Sequence, residues 1–265
     1  MTSNRYVLET GSRGARRLEI LSRAMWPSSR DFLRRTGLAP GWRCLDVGCG
    51  IGAVSCKIAS RTGHCLGIDL DEGFVRTARE RARRRGISGA VFRPGRGQEL
   101  ELLGESFDLS YARYLLSHQA DPLAVLRQMK AVTRPGGTVA VEDIDFPGHF
   151  RHPDCPAFDR YLELYESVVA RRGGNARLGR QLLDLAREAG LETVRVHLVM
   201  AVHHDGLGKR VAEVTMEHIG EAVVATELAS RQEVDRLVRE LRRFRRDPRS
   251  QISIAPTFQV SGRVP

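Results

Sequence analysis

The chain has 265 residues and carries 42 Lys and Arg against 32 Asp and Glu, a net charge of +10 that would ordinarily suggest a nucleic-acid partner. Only three of the basic residues are lysines, and the arginines are spread along the whole chain instead of forming one stripe. No apolar run of about 18 residues occurs, and residues 1–20 lack the apolar segment of a signal peptide. We therefore expect a cytoplasmic enzyme without a membrane partner, and the composition disfavours nucleic acid.

The first half of the chain predicts a parallel sheet. Two helices are expected before the first strand, at 12–25 and 28–36, because Pro27 interrupts the helical pattern. Short apolar strands then alternate with helices, which is typical of parallel α/β folds. In order, we predict strand 43–48, helix 52–61, strand 64–69, helix 72–85 with Asp71 as N-cap and Gly86 as stop, strand 90–93, strand 107–111, helix 121–132 and strand 137–142.

The spacing of elements loosens beyond residue 143. Residues 145–156 contain three prolines and are predicted to form a loop at the carboxyl end of a strand, where ligands bind in open α/β sheets. We then predict helix 157–171, helix 177–189, strand 192–203, two helices within 206–247 and strand 251–261. The expected organisation is one structural domain made of a helical cap (1–40), a nucleotide-binding core (41–145) and a completed sheet (146–265) with substrate-lid insertions at about 146–175 and 206–247.

The most informative segment is Cys44–Gly52, which has the pattern of a buried strand followed by a glycine turn and a helix. Gly48, Gly50 and Gly52 remove side chains where the backbone turns tightly beside a ligand. Their G-x-G-x-G spacing differs from the G-x-G-x-x-G fingerprint of dinucleotide sites, which argues against hydride transfer.

Two carboxylates are predicted to lie beside this glycine turn. Asp69 ends the next strand, where a carboxylate accepts the hydroxyls of a ribose, and Asp46 lies in the end of the first strand. The turn contains no lysine. The pocket therefore suits a neutral or cationic nucleoside better than a pyrophosphate.

With these features the sequence resembles the class I S-adenosylmethionine-dependent methyltransferases, in particular small-molecule enzymes of the ubiquinone and menaquinone biosynthesis type. The resemblance covers about residues 40–145 and includes Leu45–Gly52, Asp69, Ser106–Arg113 and Arg134–Asp143. It implies a Rossmann-like α/β sheet, mostly parallel with an antiparallel last strand, together with a helical cap or lid. It also implies S-adenosyl-L-methionine as the cofactor.

The resemblance further implies which residues bind this cofactor. The glycines would approach its methionine part, Asp69 its ribose, Leu70 its adenine, and Ala112 and Arg113 its amino-acid end, while the Tyr6 phenol would close over its carboxylate. The complete predicted set is Tyr6, Asp46, Gly48, Cys49, Gly50, Gly52, Asp69, Leu70, Gln98, Ala112 and Arg113. Arg96 departs from the family, which often has a carboxylate there to receive the adenine amino group; an arginine has only donors, whereas Gln98 has a carbonyl acceptor.

His118 is the first candidate for a general base, because it follows the fourth strand of the core and has a suitable intrinsic pKa. Asp143 and Asp145 end the fifth strand and are candidates for orienting a substrate hydroxyl or amine. Further histidines compete for the role of the base; they are His149, His152, His203, His204 and His218.

No metal site is predicted. Neighbouring residues of a strand point to opposite faces, so His203 and His204 cannot easily share one ion. The five cysteines form no C-x-x-C pair and are expected to be small, buried and reduced; they are Cys44, Cys49, Cys56, Cys65 and Cys155.

Three functional hypotheses follow. The first is methyl transfer to a small molecule, most plausibly to oxygen of a secondary metabolite or a quinone-like compound. The second is an RNA-modifying or nucleic-acid-binding protein that uses the arginine-rich segment 231–249. The third is a methyltransferase fold without methyl transfer, motivated by Arg96. The arginine-rich helices also offer surfaces for a homodimer.

Overall fold

The computed structural model describes residues 12–265 of the chain. Its helices are α1 (Ser12–Arg35), α2 (Ser55–Thr62), α3 (Glu72–Arg84), α4 (Pro122–Ala131), α5 (Pro156–Arg171), α6 (Leu182–Glu188), α7 (Val211–Ala225) and α8 (Arg231–Arg246). Its strands are β1 (Arg43–Val47), β2 (His64–Asp69), β3 (Ala90–Pro94), β4 (Phe107–Arg113), β5 (Thr133–Ile144), β6 (Arg151–His152), β7 (Glu192–Val199), β8 (Val202–His203), β9 (Gln251–Ser253) and β10 (Thr257–Arg263).

Seven strands form one sheet in the order β3-β2-β1-β4-β5-β10-β7. The first five strands are parallel, whereas β10 runs antiparallel to both of its neighbours, β5 and β7. This confirms the predicted α/β fold with its antiparallel last strand. Because β1 is flanked by β2 and β4, the carboxyl ends of these three strands meet at one edge of the sheet.

The predicted break at Pro27 is wrong, since α1 continues through this residue. Proline removes one helical hydrogen bond, but the Ser28 hydroxyl donates to the Met25 carbonyl oxygen at 2.9 Å. Met25 and Phe32, on either side of the proline, are each only 1% exposed. Burial of this helix against the rest of the chain therefore outweighs the local cost of the proline.

The long strands predicted at 192–203 and 251–261 are each divided in two. β7 ends at Val199 and β8 begins at Val202, while Pro256, which has no N–H to donate, separates β9 from β10. The short pieces β6, β9 and β8 pair antiparallel in a second, three-stranded sheet that the sequence patterns did not predict. This small sheet ties the loop after β5 to the segment before the last strand.

Helices α5, α7 and α8 bury a common apolar core. On α8 the buried side chains are Val234, Leu237 and Leu241, at the spacing of one helix face. The middle of α1 packs through Ile20, Leu21 and Met25 against Val211 and Val214 of α7. Within residues 12–265, no helix is long and apolar enough to cross a membrane.

Gly52 provides a test of how the glycine turn is packed. A Cβ atom at this position would lie 2.7 Å from the Phe92 ring and 2.8 Å from the Cβ atom of Ala78, and φ is +68°. We expect Gly52→Ala to lower the free energy of unfolding by about 2–4 kcal/mol, because overpacking adds to backbone strain. Gly86→Ala is the control, since φ is +64° and no atom lies within 4 Å of its Cβ position. If denaturant titrations show the same loss of unfolding free energy in both variants, the packing role of Gly52 is contradicted.

Candidate active site

Two cavities open at the edge where β1, β2 and β4 end, and they share Gly48, Tyr114 and His118. The first cavity extends from the glycine turn toward α1, α5 and α7, and the second extends along the end of β2 toward residues 95–98. A ligand bound across the shared residues would occupy both cavities. This arrangement suits a cofactor on one side and an acceptor on the other.

Asp69 has the acceptor capacity that a ribose requires. One carboxylate oxygen accepts the backbone N–H of Gly50 at 2.8 Å, and the other accepts that of Asp71 at 3.0 Å. A carboxylate offers about four lone-pair sites, so about two remain for a pair of hydroxyls. Burial raises the pKa of Asp69, despite the two backbone N–H groups that act in the opposite direction. Leu70, which is 43% exposed, lines the same cavity.

Gln98 and Arg96 both line this second cavity. The Gln98 amide nitrogen donates to the Gln119 side-chain oxygen at 2.7 Å. This contact leaves the carbonyl oxygen of Gln98 available as an acceptor, the chemistry that Arg96 lacks.

Five residues of the predicted cofactor set line the first cavity; they are Asp46, Gly48, Cys49, Gly50 and Arg113. The Asp46 carboxylate is 3% exposed and accepts the Ser55 hydroxyl at 2.5 Å. Burial raises the pKa of Asp46 to about 6. Arg113 is held by a 3.1 Å hydrogen bond from its guanidinium to the Ser29 hydroxyl of α1.

Two of the predicted cofactor residues do not line either cavity. The Cβ position of Gly52 faces Phe92 and Ala78, so this glycine serves the packing of α3 and β3 against the turn. Ala112 is 1% exposed within β4, where it pairs with Val47. Tyr6 lies outside the described residues.

Tyr114 contributes to both cavities and was not among the predicted residues. Its φ of +55° lies in the left-handed region, which costs a non-glycine residue about 1–3 kcal/mol. Its hydroxyl lies 3.0 Å from the Thr257 hydroxyl of β10. The tyrosine is therefore held in a strained turn directly after β4, and no sequence pattern indicates such a turn at a non-glycine residue.

Aromatic side chains from the loop after β5 and from α5 also line the first cavity; they are Phe146, His149, Tyr161 and Tyr165. Phe146 stacks on Tyr165 with 3.7 Å between ring centroids. His149 Nδ1 lies 2.6 Å from the Phe146 carbonyl oxygen, an acceptor, so Nδ1 carries the proton and Nε2 the lone pair. Burial lowers the pKa of His149 to about 4.

His118 lies where the predicted cofactor and acceptor sides meet, since it lines both cavities. Burial lowers its pKa to about 3, and the nearby charges of Arg17 and Arg172 act in the same direction. Its imidazole is therefore neutral throughout the physiological pH range.

Asp143 and Asp145 do not reach either cavity. Asp143 is fully buried and accepts the backbone N–H groups of Ser117 and Ile144, both at 2.9 Å. Asp145 forms an ion pair with Arg180. The structure thus places Asp143 as a support of the turn that carries His118, and neither carboxylate where it would touch an acceptor.

The remaining candidate histidines lie outside both cavities. His152 and His204 are exposed, His203 is half-buried and His218 is buried. Among residues 12–265, no three His, Cys, Asp or Glu side chains converge in a way that could hold a metal ion. All five cysteines are free. Cys49 lines the first cavity, and burial raises its pKa, which keeps the thiol protonated.

Comparisons with known proteins agree on one family. A family profile described as a methyltransferase domain matches residues 38–171, which is half of the chain. The ubiquinone biosynthesis O-methyltransferase of Hahella chejuensis is 34% identical over 119 residues, covering 45% of this chain and 50% of that protein. The chain spans about half the length of the first curated relatives that it matches, since the matches cover 50%, 48% and 46% of those three proteins.

Two solved structures show the same fold. The cyclase SpnF has a TM-score of 0.57 at 21% identity and covers 90% of this chain and 81% of its own. The second is phosphoethanolamine N-methyltransferase 2 of Haemonchus contortus, in complex with phosphomonomethylethanolamine and S-adenosylhomocysteine. It has a TM-score of 0.59 at 19% identity, and the match covers 94% of this chain and 57% of that one. At these identities the likeness concerns the fold alone.

Proposed function

Because the chain belongs to the class I S-adenosylmethionine-dependent methyltransferases, we propose that it transfers a methyl group from this cofactor to an oxygen atom of a small secondary metabolite or quinone-like compound. The observation that carries the proposal is the meeting of the two cavities at Gly48, Tyr114 and His118. The second cavity has a carboxylate suited to a ribose, and the first is lined by buried aromatic side chains.

The residues present fit the cofactor. Asp69 has acceptor sites left for ribose hydroxyls, Gln98 has a carbonyl oxygen for the adenine amino group, and Asp46 offers a carboxylate to cationic groups. When bound, the cofactor supplies an electrophilic methyl group on a sulfonium. The chain itself would hold this methyl group away from water, between the glycine turn and helices α1, α5 and α7.

The aromatic wall supports a small, flat acceptor. Phe146, Tyr161 and Tyr165 are at most 5% exposed, and together with α1 and α7 they enclose the first cavity. A lining of this kind suits a flat, apolar ring better than a polyanionic nucleic acid. The name of the Hahella chejuensis relative, an O-methyltransferase of ubiquinone biosynthesis, supports oxygen as the atom methylated.

The structure weakens the case for nucleic-acid binding by the arginine-rich segment 231–249, because several of its arginines form ion pairs within the protein. Arg242 and Arg245 both bind the Glu213 carboxylate, at 2.7 and 2.6 Å, and Arg231 binds Glu221 at 2.6 Å. These cations are occupied by acidic side chains of α7. Retention of RNA in a filter-binding assay at about 50 mM salt, with a steep loss at higher salt, would support the alternative nucleic-acid function.

Isothermal titration with S-adenosylmethionine tests the cofactor assignment. We expect micromolar binding to the wild type and about a 10²-fold loss in Asp69→Ala, because hydrogen bonds to a charged acceptor are among the stronger ones. Asp69→Asn, which keeps one oxygen, should lose less. Glu72→Ala is the control, because Glu72 is an exposed carboxylate three residues away that lines neither cavity. Absence of binding to the wild type at millimolar cofactor would contradict the proposal.

A second candidate is a protein of this fold that binds the cofactor without transferring its methyl group. Arg96, at a position where the family often has a carboxylate, favours it, and the structural likeness to a cyclase shows that the fold does not dictate the reaction. Formation of S-adenosylhomocysteine with a panel of phenols and quinols would exclude this candidate.

A further inference from the structure

Arg17 is a buried cation that faces the acceptor side of the first cavity. It lies in the first half of α1, is 9% exposed and lines the cavity together with Thr215 of α7. Its Nε–H donates to the Thr215 hydroxyl at 3.3 Å, a bond that joins residues 198 positions apart. Nothing in the sequence pattern of α1 distinguishes Arg17 from the exposed Arg16 beside it.

Within the part of the chain that the structure describes, no carboxylate pairs with this charge. Among residues 12–265, no Asp or Glu oxygen lies within 4 Å of the Arg17 guanidinium, and Thr215 is its one hydrogen-bond partner. After burial, the charge of Arg17 contributes to lowering the pKa of His118 and His218 to about 3, and it acts on the buried phenols of Tyr161 and Tyr165.

A largely buried cation without a carboxylate partner is costly unless other acceptors reach it. A buried ion loses its hydration, and proteins keep one where it is paired or where function requires it. The terminal NH₂ groups of Arg17 still need acceptors, and a guanidinium presents them in the fork geometry that matches a planar carboxylate. Within the described residues 12–265 these NH₂ groups have no acceptor, and an anion in the first cavity would supply one.

We propose that Arg17, supported by Thr215, binds a carboxylate group of the methyl acceptor, so that the acceptor is an aromatic acid. This inference rests on the proposed function and adds the substrate class. A single guanidinium with one hydroxyl matches one negative charge. A phosphate, which carries nearly two charges, would call for further cations, and the first cavity contains no lysine.

The carboxylate of the cofactor is the main rival for Arg17. Two observations favour the acceptor. Arg113, at the end of β4 and bonded to Ser29, already supplies a cation beside Asp46 and the glycine turn. Arg17, in contrast, bonds to α7 and influences Tyr161 and Tyr165 of α5, which belong to the aromatic wall.

The experiment compares three probes of one shape on protein saturated with S-adenosylhomocysteine: 2-naphthoate, its neutral isostere 2-naphthamide, and 2-naphthyl phosphate. We expect calorimetric titration of the wild type to show the acid binding about 10-fold or more tightly than the amide, and more tightly than the phosphate. Arg17→Met, which keeps the apolar stem, should remove the preference for the acid. Arg16→Met is the matched control, because Arg16 is exposed one position away, and it should keep the preference.

Folding is checked in the same samples. We expect Arg17→Met to melt at the wild-type temperature or above it, because an unpaired buried charge is replaced by an apolar chain of similar size. Thr215→Val preserves shape and removes the hydroxyl, so it should weaken acid binding without abolishing it. A lower melting temperature of Arg17→Met with an unchanged preference for the acid would mean that Arg17 is only structural.

Other results overturn the proposal just as directly. Equal binding of acid and amide by the wild type would exclude an anion site, and tighter binding of the phosphate would assign the wrong anion. Loss of S-adenosylhomocysteine affinity in Arg17→Met would assign Arg17 to the cofactor. Failure of the proposed function itself has a different signature, since wild-type protein would then bind no S-adenosylmethionine, whatever its preference among the naphthyl probes.

Discussion

Replacing His118 by alanine is expected to lower kcat by about 10²-fold or more while the affinity for S-adenosylmethionine changes by less than about threefold. His118 lines both cavities, so it lies where an acceptor oxygen would lose its proton. As that oxygen forms its new bond to carbon, its O–H becomes strongly acidic, and even a weak base receives the proton. Single-turnover rates together with calorimetric titration of the cofactor measure the two effects separately.

The pH dependence of this effect follows from burial. An ordinary histidine would give an acidic limb near pH 6.5, because the base acts in its unprotonated form. The lowered pKa of His118, about 3, extends the unprotonated form down to about that pH. With saturating cofactor, we therefore expect the His118→Ala variant to be slower by a nearly constant factor between about pH 5 and 8.

His204→Ala is the control for His118, since this histidine is exposed and lies outside both cavities. His149 is the rival base, because its Nδ1–H is committed to the Phe146 carbonyl and its Nε2 keeps the lone pair. If His118→Ala retains kcat within about threefold and His149→Ala loses about 10²-fold, the base is His149. If neither variant loses activity, positioning alone carries the reaction.

The nucleotide-binding half could be predicted because its signals are local. The glycines of the turn, the carboxylate at the end of β2 and the strand–helix alternation all lie within about 100 residues and follow from backbone sterics and the pairing of parallel strands. Asp69 and Gly48 both line cavities at the edge of the sheet where β1, β2 and β4 end. Pro27 was misread for the same reason, since a local rule was applied where the burial of Met25 and Phe32 decides the outcome.

The acceptor side could not be predicted, because it is assembled from distant segments. Arg17 and Thr215 meet across 198 residues, and Phe146 of the loop after β5 stacks on Tyr165 of α5. The same limitation explains Asp143, whose position at a strand end suggested an active-site acid. Its carboxylate instead turns inward to two backbone N–H groups, a choice that depends on the packing of the neighbouring turn.

Asp46→Asn is expected to lower the affinity for S-adenosylmethionine by about 10- to 100-fold at pH 7.5, since a unit charge pair about 6–10 Å apart is worth about 2–3 kcal/mol at an effective dielectric constant of about 20. The sulfonium and ammonium groups of the cofactor are cationic, and Asp46 lines the first cavity, where we propose that the methionine part binds. Cationic neighbours favour the ionised carboxylate, so binding should release a proton near pH 6. Calorimetric titrations in buffers of different ionisation enthalpy measure that proton directly.

The direction in which cofactor affinity changes with pH separates cation binding by Asp46 from simple burial of its carboxyl group. The pKa of Asp46 in the folded chain, about 6, lies above the unfolded value of 3.8. Its contribution to stability is therefore fully present below about pH 3.8 and is lost as the pH rises through 6, which amounts to about 3 kcal/mol at neutral pH. Cofactor affinity should change in the opposite direction and fall about 10-fold between pH 7 and 5, because the protonated carboxyl no longer attracts a cation.

Asp143→Asn is the matched control for Asp46→Asn, because burial raises the pKa of Asp143 to about 6 as well, but this residue lines neither cavity. In the wild type the free energy of unfolding should rise as the pH falls, and both variants should show a smaller rise. The affinity for the cofactor should increase from pH 5 to pH 7 in the wild type and in Asp143→Asn, but not in Asp46→Asn. If affinity in Asp46→Asn still rises about 10-fold from pH 5 to 7, the titrating group belongs elsewhere in the site, and Asp69, whose pKa burial also raises, becomes the group to replace next.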